Sequence, residues 1–248
     1  LIRQHHPDII CLDEALEFAW DGIAWLGMPD LAPQIAAHYY NLNLDWNAGK
    51  LKAVLNLKGW KGAPPWIKNA FVADTEMDWD ENMRPAPWQN EDCLMGTWHY
   101  QRDQGYRSAE SVIHELVDIV SKNGNLLLNV PLPGSGAIDD AAVSILEEIG
   151  RWLDINGEAI YGSRPWKKFS EEQIRFTTKP GAIYASSLGV PAGEVKIKSL
   201  AGEKIARVQL IGSNQKIEWR QTADELVIKP VSHWPSPHAV VFRIDLIQ

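Results

Sequence analysis

The 248-residue sequence predicts an α/β region followed by an all-β region. Residues 1–160 alternate apolar runs with amphipathic stripes about five times, the pattern of a parallel α/β sheet or barrel. After Trp166 short alternating runs follow one another with no helical stripe between them. Gly, Pro, Asn and Asp separate those runs, which predicts a small antiparallel β-sandwich of about 80 residues.

Each element has its own reason. Pro7–Leu12 is a short apolar run that suits a strand buried on both faces, ending at Asp13. Residues 30–43 place Leu31, Ile35, His38 and Tyr39 near helical spacing. Leu51–Leu57 predicts a second strand and residues 70–75 a third, ending at Glu76. Residues 78–92 are rich in Pro, Asp, Asn and Trp, with Pro85 and Pro87 close together, and read as a long loop. Cys93–Trp98 is a candidate fourth strand. Ser108 caps a helix whose stripe is Val112, Ile113, Leu116, Val117 and Val120, with Gly124 as its stop. Asn125–Val130 reads as an uncharged, buried strand. Asp139 caps a second helix with Val143, Leu146, Ile149, Trp152 and Leu153 inward, closed by Gly157. Lys167–Glu172 reads as a linker, and the β-runs then start at Ile174, Ile183, Glu194, Ile205, Ile217, Leu226 and Ala239.

Composition excludes several classes. With 45% hydrophobic and 23% charged residues the chain can bury a core, so it is not a disordered segment. A formal net charge of −8 argues against a duplex nucleic-acid partner, whose phosphates demand Lys and Arg. No apolar run reaches the length of a membrane span. Cys11 and Cys93 are too few for a disulfide scaffold and read as buried thiols of strands. No His/Cys spacing resembles a metal site, so no metal or cofactor is expected. The 12 Trp, eight of them between Trp20 and Trp98, suit either a large core or a cleft for sugar rings, which have an apolar face and a polar rim. Leu1 stands where an initiator Met would, so the chain reads as a fragment.

In a parallel barrel the site gathers at the C-terminal strand ends. Asp13 and Glu76 both lie at such ends. Two facing carboxylates are what glycoside hydrolysis needs: one protonates the leaving oxygen and the other attacks the anomeric carbon or activates water. Position alone leaves the alternatives open. Asp13 could cap the segment after it, Glu76 could sit in a solvated loop, and Glu14, Asp74, Glu81, Glu91 and Asp92 compete for the same roles.

Longer motifs then point to a family. Ser121–Val130 resembles the signature run of the α-L-fucosidases of glycoside hydrolase family 29. Glu148–Gly162 with Arg164–Trp166 is similar to that family's end-of-barrel segment, and Arg84–Gln89 through Thr97–Tyr100 resembles its active-site loop. The tail, marked by Ile174–Thr177 and Ile183–Tyr184, resembles its C-terminal domain.

That resemblance implies the C-terminal part of a (β/α)8-like TIM barrel over 1–166 and a β-sandwich domain over 167–248. It implies a retaining exo-acting hydrolase that releases terminal α-linked L-fucose from oligosaccharides or glycoconjugates outside the cytoplasm. Asp13 inherits the nucleophile's role and Glu76 that of acid/base. Lys58 matches a basic residue that reaches sugar hydroxyls, Trp98 an aromatic wall for the fucose methyl, and Trp88 a Trp of the pocket loop. Cys11, Leu12 and Glu14 depart from the family's usual residues around the nucleophile. The family's earlier barrel units have no counterpart here, so the fragment alone is expected to be weakly active or inactive. Two other readings remain: a non-catalytic carbohydrate-binding protein, and a retaining glycosidase for another sugar.

Overall fold

The structure is a computed structural model that describes residues 1–13, 31–58, 69–77 and 81–247. It divides into two compact units, one over Leu1–Asp78 and Ala86–Glu91, the other over Trp79–Pro85 and Asp92–Gln248. Among the described residues no helix is long and apolar enough to cross a membrane.

In the first unit a short helix α1 (Ile2–His5) leads into β1 (Ile9–Leu12), α2 (Leu31–Trp46), β2 (Val54–Leu57), β3 (Val72–Glu76) and β4, which spans Trp88–Cys93 and starts here. β1 pairs with β2, β2 with β3 and β3 with β4, all in parallel. α2 closes one face: Ala36 and Tyr39 pack with Leu55, Leu57 and Phe71. The Tyr39 hydroxyl donates to the Pro7 carbonyl at 2.7 Å, fixing the helix to the entry of β1. The buried face of α2 is Ala36, Tyr39 and Asn43, whereas His38 of the predicted stripe is exposed. β1 is not buried on both faces, since Ile9 and Cys11 are exposed and β2 is its only strand partner among the described residues.

The fourth strand lies earlier than predicted. Trp88–Cys93 is strand and Leu94–Trp98 is turn. An apolar-run rule misses Trp-Gln-Asn-Glu-Asp-Cys because this strand spends polar residues on both faces. Asn90 and Asp92 are buried alongside Trp88.

The second unit holds α3 (Ala109–Ser121), β5 (Gly124–Asn129), α4 (Asp140–Asn156) and the β-rich tail. Ser108 caps α3 by accepting from the Ser111 amide, and Asp139 caps α4 by accepting from the Ala142 amide. α3 ends differently from the prediction. Asn123, at φ +72°, takes the left-handed position, which Asn tolerates better than most residues, and Gly124 already begins β5. Leu127 of β5 and Val143 of α4 are exposed, against the buried reading of both. Gly157 follows α4 because a Cβ there would meet the Tyr161 ring at 2.8 Å.

The tail forms two antiparallel sheets. One has the order β10-β13-β8-β7-β6, built from β6 (Arg164–Glu171), β7 (Ile174–Lys179), β8 (Ala182–Leu188), β10 (Ile205–Leu210) and β13 (Ala239–Leu246). The other, β11-β12-β9, contains β9 (Val195–Ile197), β11 (Trp219–Gln221) and β12 (Leu226–Ile228). Phe176, Ile183, Ile197, Leu226, Val240 and Phe242 share the core between them. The predicted linker Lys167–Glu172 is strand as far as Glu171: β6 pairs with β7 through Glu171 and Ile174. Lys167 and Lys168 are exposed while Trp166 enters the core.

Candidate active site

Strand periodicity builds the site. Side chains alternate faces along a strand, so Asp74 and Glu76 share one face of β3, and Gln89 and Glu91 share one face of β4. The register sets Asp74 beside Gln89 and Glu76 beside Glu91. On the neighbouring strands Cys11 sits beside Asn56. The ladder continues past β2, where the Lys58 amide donates to the Leu12 carbonyl at 3.4 Å and brings Lys58 level with Asp13.

Two polar layers result. In the outer layer the Lys58 ammonium meets Asp13 Oδ1 at 2.9 Å, Glu91 Oε2 at 2.9 Å and Glu76 Oε1. The Lys58 side chain is only 11% exposed, and the three carboxylates become progressively deeper: Asp13 is 71% exposed, Glu76 40% and Glu91 13%. Burial alone would lower the Lys58 pKa, but its bonds to Glu76, Asp13 and Glu91 outweigh this and hold it above the ordinary lysine value. Met77, at φ +45°, turns the chain directly after Glu76 and donates its amide to the Glu91 carbonyl at 2.9 Å.

The layer beneath contains Cys11, Asn56, Asp74 and Gln89. Gln89 Nε2 donates to Asp74 Oδ2 at 3.1 Å, and Asn56 Nδ2 faces Cys11 Sγ at 3.7 Å. Asp74 is buried, and its Oδ1 has no hydrogen-bond partner among the described residues. Burial first, then the negative charge of Glu91, push Asp74 up to about 7. The Cys11 thiol is raised as well, by burial and then by Asp74.

The sequence-derived residues divide accordingly. Asp13, Lys58 and Glu76 come together on one ammonium. Trp88 does not join them: at 1% exposure its ring is core, on the face of β4 opposite Gln89 and Glu91. Trp98 belongs to the second unit, where its side chain is 42% exposed and its carbonyl accepts from Asn129 Nδ2 at 3.1 Å. Asp92 turns instead toward Arg107 at 2.8 Å. Glu14 lies outside the described residues. Among the described residues no group of His, Cys, Asp and Glu is arranged to hold a metal ion, and Lys58 supplies the cation that three carboxylates share. Glu91 and Asp74 entered the sequence reading only as competitors. The signal that singles them out is the two-residue period from Gln89 and Glu76.

Carboxylates gathered at the C-terminal ends of parallel strands are the arrangement of a barrel glycoside hydrolase. Comparison with known proteins narrows this class. The sequence pattern of the family described as alpha-L-fucosidase matches residues 1–158, and that of the alpha-L-fucosidase C-terminal domain matches residues 167–245. The chain belongs to the α-L-fucosidase family. The tissue alpha-L-fucosidase of Rattus norvegicus is 34% identical over 146 residues, covering 56% of this chain and 32% of that protein. The human plasma alpha-L-fucosidase is 31% identical over 153 residues, again covering 56% and 32%. A solved alpha-L-fucosidase superposes with TM-score 0.78 at 25% identity, covering 98% of this chain and 53% of its own. The Thermotoga maritima alpha-fucosidase does so with TM-score 0.75 at 24% identity, covering 98% and 54%. The chain thus spans about a third of these curated relatives and about half of the solved structures. Its fold is the C-terminal part of a (β/α)8-like barrel followed by an antiparallel sheet domain.

Proposed function

We propose that this chain carries the nucleophile and the acid/base of a retaining α-L-fucosidase acting on terminal α-linked L-fucose of oligosaccharides or glycoconjugates. The observation that carries the reading is the Lys58 ammonium shared by Asp13 and Glu76. Two oxygens bonded to one nitrogen lie no farther apart than two hydrogen-bond lengths, about 6 Å. A retaining pair needs about 5–5.5 Å between carboxyl groups, whereas an inverting pair leaves room for water at about 6.5–9.5 Å.

In the first step an Asp13 oxygen bonds to the anomeric carbon while the bond to the leaving oxygen breaks and Glu76 gives that oxygen its proton. In the second step Glu76 takes a proton from water, the water oxygen bonds to the anomeric carbon, and the Asp13 ester bond breaks. Lys58 bonds to both carboxyl groups. Trp98, 42% exposed, is an indole of the kind that suits apolar contact with a sugar's methyl group. We further propose that the division between catalytic part and C-terminal domain falls between residues 166 and 167.

The test is turnover of an aryl α-L-fucoside by the full-length protein that contains these residues, with the first-formed anomer of fucose read by NMR. Release of α-L-fucose is expected. Asp13→Gly should lower the rate on the order of 10³-fold or more, and added azide should restore it as β-L-fucosyl azide. Release of the β-anomer sinks the retaining mechanism. Fucose binding without turnover sinks the enzyme reading in favour of a binding protein.

A further inference from the structure

Lys58 is a long, flexible side chain, and fixing it costs rotamer entropy. Its contacts with Asp13 and Glu76 do little to fix it, because those carboxylates are 71% and 40% exposed, and exposed ion pairs contribute little. Glu91 differs. Both it and Lys58 are nearly buried, at 13% and 11% exposure, and they meet at 2.9 Å. The same residue also takes the Met77 amide on its carbonyl at 2.9 Å, bracing the strand end that presents Glu76. Its backbone therefore holds one catalytic carboxylate while its side chain holds the cation between both.

We propose that Glu91 is the positioning residue of this site: from its floor it anchors the Lys58 ammonium midway between Asp13 and Glu76 throughout the catalytic cycle. The proposal rests on the fucosidase reading for its chemistry and on the geometry of the Lys58 cluster for its structure. The cycle explains the need. Asp13 loses its charge when it becomes the glycosyl ester, and Glu76 alternates between acid and base. An ammonium bound only to those two would follow whichever was charged. Glu91 takes part in neither bond change, so Lys58 stays where Asp13 must return to carboxylate. The groups facing Glu91 are Lys58 from the end of β2, Asp74 and Glu76 from β3, Asp13 and Cys11 from β1, and Gln89 from β4 itself.

The variant is Glu91→Gln, with Glu91→Asp as its conservative partner and the amide spectrum as the check that each folds. The first readout needs no turnover: the Lys58 ammonium signal in a 1H–15N correlation spectrum, which survives only when the group is held and shielded from exchange. It is expected in the parent, lost in Glu91→Gln and kept in Glu91→Asp and Glu76→Gln. The second readout is kinetic. Glu91→Gln should lower kcat about 100-fold with KM within twofold, and equally for aryl fucosides with good and poor leaving groups, since displaced groups slow the reaction whichever bond breaks. An unchanged Lys58 signal in Glu91→Gln overturns the proposal. So does a loss confined to poor leaving groups, which would make Glu91 the acid itself. If the parent shows the predicted Lys58 behaviour but turns over no fucoside, the fucosidase reading fails while the anchor stands.

Discussion

Asp74 is a buried carboxyl with a carboxylate above it and, among the described residues, one hydrogen-bond donor, Gln89, beside it. Its pKa is about 7 in the folded protein against an ordinary 3.8. Between those values the unfolded chain releases its proton while the native state keeps it. The native state then binds more protons, so stability is full below about pH 4 and falls as pH rises toward about 7. Glu115, pushed up to about 7 chiefly by burial, adds to the same fall. Asp74→Asn keeps the shape and removes one share. Its melting temperature should therefore differ less between pH 4.5 and 7.5 than that of the parent. An equal difference in both proteins would mean that Asp74 is ionised in the native state. Asp13 and Glu76 stood out as candidates in the sequence because each follows a strand, while Lys58 came from the family resemblance alone. Asp74 and Glu91 were not separable from Glu81 or Asp92, because acidic residues in sequence carry no mark of which face they occupy. Only the strand register supplies it, and that register appears once β4 is placed.

Helices announce themselves in this sequence and polar strands do not. Caps at Ser108 and Asp139 set the starts of α3 and α4 correctly, since the capping signal is local. β4 escaped because its pattern answers to partners distant in the chain: Gln89 and Glu91 face the polar layers, and Asp92 faces Arg107. Arg107 shows what such a strand requires. It donates to Asp92 at 2.8 Å and to Glu115 of α3 at 2.6 Å, and its own amide donates to the Leu94 carbonyl at 2.8 Å. The Glu115 side chain is fully buried and that of Asp92 only 8% exposed. Removing the cation takes away the counter-charge that these two buried carboxyl groups share. Arg107→Met is expected to destabilise the protein by about 3–5 kcal/mol at pH 8. At pH 5 the loss should be smaller, because Glu115 is protonated there. Denaturant melts at the two pH values check this, and a loss independent of pH would assign it to packing of the Arg107 stem instead.

The sequence divides at Trp166 by its pattern of periods, but packing in the second unit does not stop there. β8 and β13 are buried on both faces. Ile183, Ala185, Val240 and Phe242 point into the sandwich, while Ala182, Tyr184, Ala239 and Val241 pack with Val112, Ile113, Ile149 and Trp152 of α3 and α4. Trp152 Nε1 donates to the Ala239 carbonyl at 2.9 Å, and Arg175 of β7 binds Asp118 of α3 at 2.5 Å. A sheet whose second face is covered by helices from the preceding region cannot expose that face cheaply: each buried side chain is worth about 1.5–3 kcal/mol. Helices and sandwich should therefore open together. Trp152→Ala, which removes a 2% exposed ring and its bond to the sheet, should cost about 3–5 kcal/mol. Amide hydrogen exchange then separates two outcomes. If the second unit is one cooperative body, amides of α3 and of β13 lose protection by the same factor in the variant. If α3 loses protection while β13 and β10 keep that of the parent, the boundary at 166 marks an independent folding unit and the shared face is a mere contact.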